Sequence, residues 1–337
     1  MDIKHFLIYR AAAAGLFLLL AISTPVLAEE AAEGFQDCLV SSITGASDEM
    51  TLGELKRQCR ERGLVEHGKV EKSAITQRVA EESATGNLAF VITPHKPNYL
   101  IAGYNTSDPN LAPYQEAFPN EDFSFQDTEL KFQLSLKFLL VDNLFGNNGD
   151  IYAAYTNRSF WQAFNRDISS PFRETNHEPE AWIRFDTDWK LLGLTNRAVS
   201  LGVSHQSNGR SGPLSRSWNR VYANFIFERD NFYFGIKPWW RIPEDSEDDD
   251  NPDITDYLGN FEFQGVYKRG RHNFGLMVRN NLDTSDNNGA VQLDWSFPLY
   301  KHLRGYVQWF NGYGESLIDY DHYTNTFGAG IQLTDWL

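Results

Sequence analysis

After its first 28 residues the chain has no long apolar run. No later segment approaches the ~20 consecutive apolar residues that a membrane-spanning helix requires. Basic residues are also scarce: 30 Lys and Arg stand against 45 Asp and Glu, for a net charge of −15. That balance excludes the basic footprint expected of a nucleic-acid partner. Cysteine is limited to Cys38 and Cys59, too few ligands for a metal site by themselves. Aromatic residues, in contrast, are abundant: 24 Phe, 15 Tyr and 9 Trp make up 14% of the chain.

The N-terminus explains the compartment. Lys4 and Arg10 flank an apolar run from Ala11 to Leu20, and Val26-Leu27-Ala28 then precedes Glu29 and Glu30. A basic start, a short apolar stretch and a small-residue cleavage site make residues 1–28 a secretory signal peptide, and the run is too short to anchor a membrane helix. Export places the mature chain in an oxidising compartment, where a Cys38–Cys59 disulfide is expected. Thr51-Leu52-Gly53-Glu54 between the two cysteines has the form of a capping box opening a short helix. Residues 29–86 therefore read as a small disulfide-clipped helical appendage and a polar linker, and residues 87–337 as the main domain.

In that main domain apolar and polar residues alternate. Leu130, Phe132, Leu134, Leu136, Phe138 and Leu140 interleave with Lys131, Gln133, Ser135 and Lys137. A period of two with this contrast marks a strand with one apolar face. The pattern recurs in about twelve segments, near residues 97–105, 128–140, 151–162, 180–190, 197–208, 216–228, 231–241, 256–268, 272–280, 289–297, 302–311 and 324–336. Each has about the length of a tilted membrane-crossing strand. An even number of such strands predicts an all-β fold, a twelve-stranded antiparallel transmembrane β-barrel of the outer membrane. A soluble sandwich would not need so many aromatics near its strand ends. Short connections such as Arg229-Asp230 and Arg269-Gly270-Arg271 alternate with longer polar ones. Short turns belong to the periplasmic side, so odd-numbered strands run outward and the fifth ends outside.

On the fifth strand Val199, Leu201 and Val203 define the apolar face, and His205 and Ser207 share their parity. On the sixth, Val221, Ala223, Phe225 and Phe227 define it, and Asn219 shares theirs. A hairpin thus brings His205, Ser207 and Asn219 to one outer face near the outer leaflet. Polar side chains there cost free energy unless they lie above the bilayer or have a task. His205 and Ser207 are ~7 Å apart at Cα, a gap that side chains can close. The task these residue types support is nucleophilic catalysis: Ser207 attacks, His205 takes its proton, and Asn219 orients the imidazole. The G-x-S-x-G elbow of α/β-hydrolases is absent.

The hairpin is also specific as a motif. His205-Gln206-Ser207-Asn208-Gly209-Arg210-Ser211 followed by Ser215-Arg216-Ser217-Trp218-Asn219-Arg220 resembles the active-site hairpin of the outer-membrane phospholipase A family. Further stretches match it: Ser169 to Asn176, Asp250 to Thr255, and Gly312 to Tyr320. The resemblance covers about residues 97–337 and leaves out the appendage. It implies a calcium-dependent phospholipase A1/A2, with lysophospholipase activity, that works as a homodimer. By position it implies Ser207 as nucleophile, His205 as base, Asn219 as third member and the Gly209 amide as oxyanion donor. It places calcium contacts at the Arg210 carbonyl, the Ser215 hydroxyl and, from a second copy, the Ser169 carbonyl. Oxygen donors of this kind suit a hard cation. It places Asn157 at the dimer interface, where the family has glutamine. Gln206 stands where relatives can carry an acidic residue, and the chain ends on Trp336-Leu337 rather than on an aromatic residue.

Other features read more plainly. The acidic run Glu244 to Asp250 reads as a solvated outer loop. His95, His177, His272, His302 and His322 read as rim or turn residues. Inward charges such as Lys131, Arg184, Arg220, Lys237 and Glu262 are expected to fill the lumen as hydrogen-bonded pairs. The rival readings are a small non-catalytic porin or structural barrel, which would conduct ions, and an adhesin, whose function would sit in the long loops.

Overall fold

The computed structural model describes residues 91–121 and 124–335. The expected signal peptide, the expected appendage with Cys38 and Cys59, and the terminal Trp336-Leu337 lie outside them. Fourteen strands follow in chain order: β1 (Ile92–Pro94), β2 (Asn98–Asn105), β3 (Thr128–Val141), β4 (Asp150–Trp161), β5 (Phe172–Asp186), β6 (Lys190–Leu191), β7 (Leu194–Ser207), β8 (Ser217–Arg229), β9 (Phe232–Ile242), β10 (Phe261–Arg269), β11 (His272–Asn280), β12 (Gly289–Tyr300), β13 (Leu303–Tyr313) and β14 (Tyr323–Thr334). Twelve of them, all but the short β1 and β6, pair antiparallel in sequence, and β14 returns to β2 to close the sheet. The fold is the expected all-β, twelve-stranded barrel.

Strand β1 pairs with β3 beyond the point where β2 stops, so β1 and β2 form one interrupted strand. Pro94 and Pro97 flank the interruption and cannot donate to the ladder. The break turns His95 and Lys96 into the lumen, where His95 Nε2 lies 2.7 Å from Glu180 and Lys96 Nζ donates to Glu178 at 2.6 Å. His95 is thus a lumen residue rather than a rim residue.

Alternation sorts the remaining side chains. Leu134, Leu201, Val203, Val221, Ile236, Leu293 and Phe327 stand exposed on the outer face, the pattern a hydrocarbon surround requires. Aromatic rings stack around its periplasmic margin from Phe232 through Tyr267 and Phe274 to Trp295 and Phe297. The inner face is polar and paired. Lys131 bonds Glu315 and Gln308, Arg220 bonds Glu178, and Lys237 and Tyr222 bond Glu180. Gly202 makes the last contact possible: a Cβ there would lie 2.6 Å from Cζ of Tyr222. The lumen is a filled interior with a residual cavity of about 300 Å³.

Two boundaries differ from the sequence expectation. Strand β5 starts at Phe172 rather than near residue 180. Its first half, Arg173-Glu174-Thr175-Asn176, looks polar because those side chains bond to one another and to the outer loops. The segment expected at 256–268 starts as a strand only at Phe261, because residues Ile254–Leu258 form a short helix, α2. Ile254 and Leu258, four apart, bury one helical face. Gly259, at φ 69°, then ends the helix.

Candidate active site

The outward end of β7 and the start of β8 form the site. The register sets His205 opposite Asn219 and Ser207 opposite Ser217, with odd-numbered residues outward as the parity predicted. His205 Nδ1–H donates to Asn219 Oδ1 at 2.9 Å, which leaves Nε2 as the ring's free lone pair. Ser207 is the next outward residue along the same strand and makes no hydrogen bond to His205 Nε2 in this structure. Such contacts are often open before substrate binds. Gln206 points inward, as expected, and accepts from Trp218 Nε1 at 2.8 Å, so this inner pair stiffens the hairpin behind the site.

Residues 208–216 follow as a loop organised by one buried side chain. Asn208 Oδ1 accepts from the Arg210 and Arg216 amides at 3.3 and 3.0 Å, and its Nδ2 donates to the Leu214 carbonyl at 2.7 Å. Gly209 sits at φ 66°, a left-handed conformation that suits glycine and fixes where its amide points. Arg210 turns its guanidinium down to the Arg173 carbonyl at 2.7 Å. A helix, α1 (Ala112–Ala117), backs this loop. Its Tyr114 packs against Leu214 and Ile318 and donates to the same Arg173 carbonyl at 2.5 Å. Burial raises the Tyr114 phenol above its ordinary range and keeps it a neutral donor.

The donor set around this loop suits a hard cation. The Ser215 hydroxyl donates to Asp250 Oδ2 at 2.6 Å, so a carboxylate stands beside that hydroxyl. Among the described residues no group of three or more His, Cys, Asp and Glu side chains is arranged to hold a metal. Ser169 lies in the loop before β5 at φ 60°, with Ser170 at φ 50°. Two consecutive left-handed non-glycine residues mark a strained turn. Within one chain Ser169 makes no hydrogen bond to Arg210 or Ser215.

Sequence reasoning missed several neighbours. The acidic run is only partly a solvated loop: Glu244 accepts from Asn219, Asp249 pairs with Arg241, and Asp250 accepts from Ser215. His177, expected as a rim residue, faces outward in register with both Ser207 and Asn157. Tyr155 Oη bonds its Nδ1 at 2.6 Å, and Asn157 Nδ2 approaches the same nitrogen at 3.5 Å. Its odd number was the available signal, lost because β5 was expected to start after it.

A closed outer-membrane barrel that carries a hydrogen-bonded His–Asn pair and a serine on its lipid-facing side fits a class of protein: hydrolases embedded in the outer membrane. A family model described as phospholipase A1 matches residues 75–333. Phospholipase A1 of Escherichia coli strain K12 is 41% identical over 248 residues, 73% of this chain and 82% of that one. Outer membrane phospholipase A from Escherichia coli superposes with a TM-score of 0.67 at 39% identity, covering 74% of this chain and 100% of that one. An outer membrane phospholipase from Salmonella typhi, described as a dimer with bound calcium, gives 0.67 at 40% identity, covering 73% and 93%. The chain belongs to the phospholipase A1 family, and it is an outer-membrane carboxylic ester hydrolase.

Proposed function

We propose that the chain hydrolyses acyl esters of membrane phospholipids with Ser207, His205 and Asn219, that it requires calcium, and that it works as a homodimer. The observation that carries the proposal is the His205–Asn219 hydrogen bond on the lipid-facing side, one outward residue from Ser207. Family membership and the calcium-bound dimer described for the Salmonella typhi relative support the cofactor and the assembly.

The steps follow from the residues present. A phospholipid in the outer leaflet reaches Ser207 laterally, without leaving the bilayer. His205 Nε2 takes the Ser207 hydroxyl proton as Oγ bonds to the ester carbonyl carbon. Asn219 Oδ1 holds the Nδ1–H tautomer and stabilises the imidazolium that forms. The Gly209 amide donates to the carbonyl oxygen as it becomes an oxyanion. His205 returns the proton to the departing alcohol oxygen, and the acyl group remains on Ser207. Water, deprotonated by the same nitrogen, then releases the fatty acid and restores the serine. Cleavage of lysophospholipids uses the same steps. The Arg210 carbonyl and the Ser215 hydroxyl, with the Ser169 carbonyl of a second copy, would hold calcium, which would supply positive charge to favour the developing oxyanion. Asn157, on the apolar flank, takes the dimer contact; one copy alone lacks the oxygen that a second copy's Ser169 would bring.

Labelling with a sulfonyl fluoride tests the reading. Stoichiometric modification of Ser207 in calcium, and little in chelator, is the expected result. Equal labelling of other serines, with Ser207 untouched, would refute it.

A further inference from the structure

Glu244 follows β9 by two residues and is half-buried beside the hairpin. Its Oε1 accepts a hydrogen bond from Asn219 Nδ2 at 2.9 Å. The other end of that amide, Oδ1, accepts from His205 Nδ1 at 2.9 Å. One side-chain amide is therefore held between an imidazole and a carboxylate. The contact arises from the register, which sets Asn219 opposite Ile242 at the end of β9 and brings residue 244 alongside.

The chemistry of the two neighbours decides how the amide lies. A carboxylate only accepts, so it takes the NH₂ end and rejects the oxygen. Were the amide flipped, its oxygen would face Glu244 and its N–H groups would face the Nδ1–H of His205. The bond to Glu244 would be lost, and His205 could keep its own only by moving its proton from Nδ1 to Nε2, the nitrogen that must be free to serve Ser207. Glu244 thus selects the rotamer that offers Oδ1 to His205, and through it the tautomer whose Nε2 is free to serve Ser207.

We propose that Glu244 is a positioning residue of the hydrolytic site that acts through Asn219, an inference that rests on reading His205, Ser207 and Asn219 as the triad. It also accounts for the third member being an amide. An aspartate at position 219 would set two carboxylates at hydrogen-bond distance, and the like charges would drive the side chain away from His205.

Second-site variants measured in calcium-containing phospholipid micelles test this, with folding checked by heat-modifiable gel mobility. Glu244→Ala is expected to lower kcat about tenfold with KM unchanged, the loss of one charge-assisted hydrogen bond. Glu244→Gln, which can still accept from Asn219, retains activity within about threefold. In an Asn219→Ala background Glu244→Ala has no further effect. Asn219→Asp is poorly active with Glu244 present, and adding Glu244→Gln raises it at least about fivefold by removing the repulsion. The inference is overturned if Glu244→Ala remains fully additive with Asn219→Ala, or if Asn219→Asp is indifferent to residue 244. It is equally overturned if Glu244→Ala leaves kcat intact and only raises the calcium concentration needed for half-maximal activity. Full activity in Asn219→Ala would instead remove the triad reading itself.

Discussion

Ser207 is a polar side chain on a strand face that also carries the exposed, apolar Leu201 and Val203. On the proposed function, that position sets it where an acyl ester of the outer leaflet would lie. At this scale the account predicts that His205→Ala lowers kcat by about 10⁴ with the barrel intact, since no other described base is in register beside Ser207 on its own strand. A second residue-scale prediction concerns the outer cap, where Arg173 Nη1 bonds Asp319 Oδ2 at 2.8 Å. Burial pushes the Asp319 carboxyl up, but the Arg173 guanidinium and the Ser316 hydroxyl outweigh it and hold the group below its ordinary range. A carboxyl that titrates lower when folded contributes stability above its unfolded value, near pH 4, and loses it as pH falls through the folded value. Asp319→Asn should therefore flatten the acid limb of the unfolding profile and cost about 3 kcal/mol near neutrality, measured by denaturant unfolding.

The loop of residues 208–216 is the element that converts strand parity into a site. Gly209→Ala must hold a left-handed backbone that costs an alanine about 1 kcal/mol, although its Cβ would meet the His177 ring only at 3.8 Å. The expected outcome is a folded enzyme with kcat reduced several-fold and KM little changed, read from steady-state hydrolysis; an unchanged kcat would show that hydrolysis tolerates an alanine in the left-handed backbone at position 209. Much of this element was legible beforehand. Parity alone put His205, Ser207 and Asn219 on one face, because a strand's period of two leaves no freedom once the apolar face is known. The supports were not legible. Asn208 is buried by bonds to its own loop, Tyr114 arrives from a connection far earlier in sequence, and Glu244 reads as one more acid in a charged run. The polar start of β5 hid His177 for the same reason: its side chains are satisfied by tertiary partners, and the alternation that announces a strand is absent there.

For the whole molecule, the barrel's strand count and direction were readable because lipid imposes an apolar outer face on every strand. The lumen was readable only as a set of charges. Glu180 meets His95, Lys96, Tyr222 and Lys237 from three other segments, and no sequence spacing encodes a pairing that depends on closure. These filled contacts argue for a scaffold rather than a channel, and planar-bilayer recordings should show no steady ion conductance. The lipid-facing surface makes an energetic prediction as well: Val203→Arg should destabilise the barrel by about 2–4 kcal/mol in reversible refolding into phospholipid bilayers if it lies at mid-depth, and less toward the rim. Asn157→Ala should weaken dimerisation followed by crosslinking in calcium and leave the monomer folded. The most direct measurement is the rate of phospholipid hydrolysis by Ser207→Ala against the unaltered chain, both refolded and in calcium. The account predicts a loss of about 10⁴-fold with unchanged barrel mobility; hydrolysis that persists undiminished would contradict it.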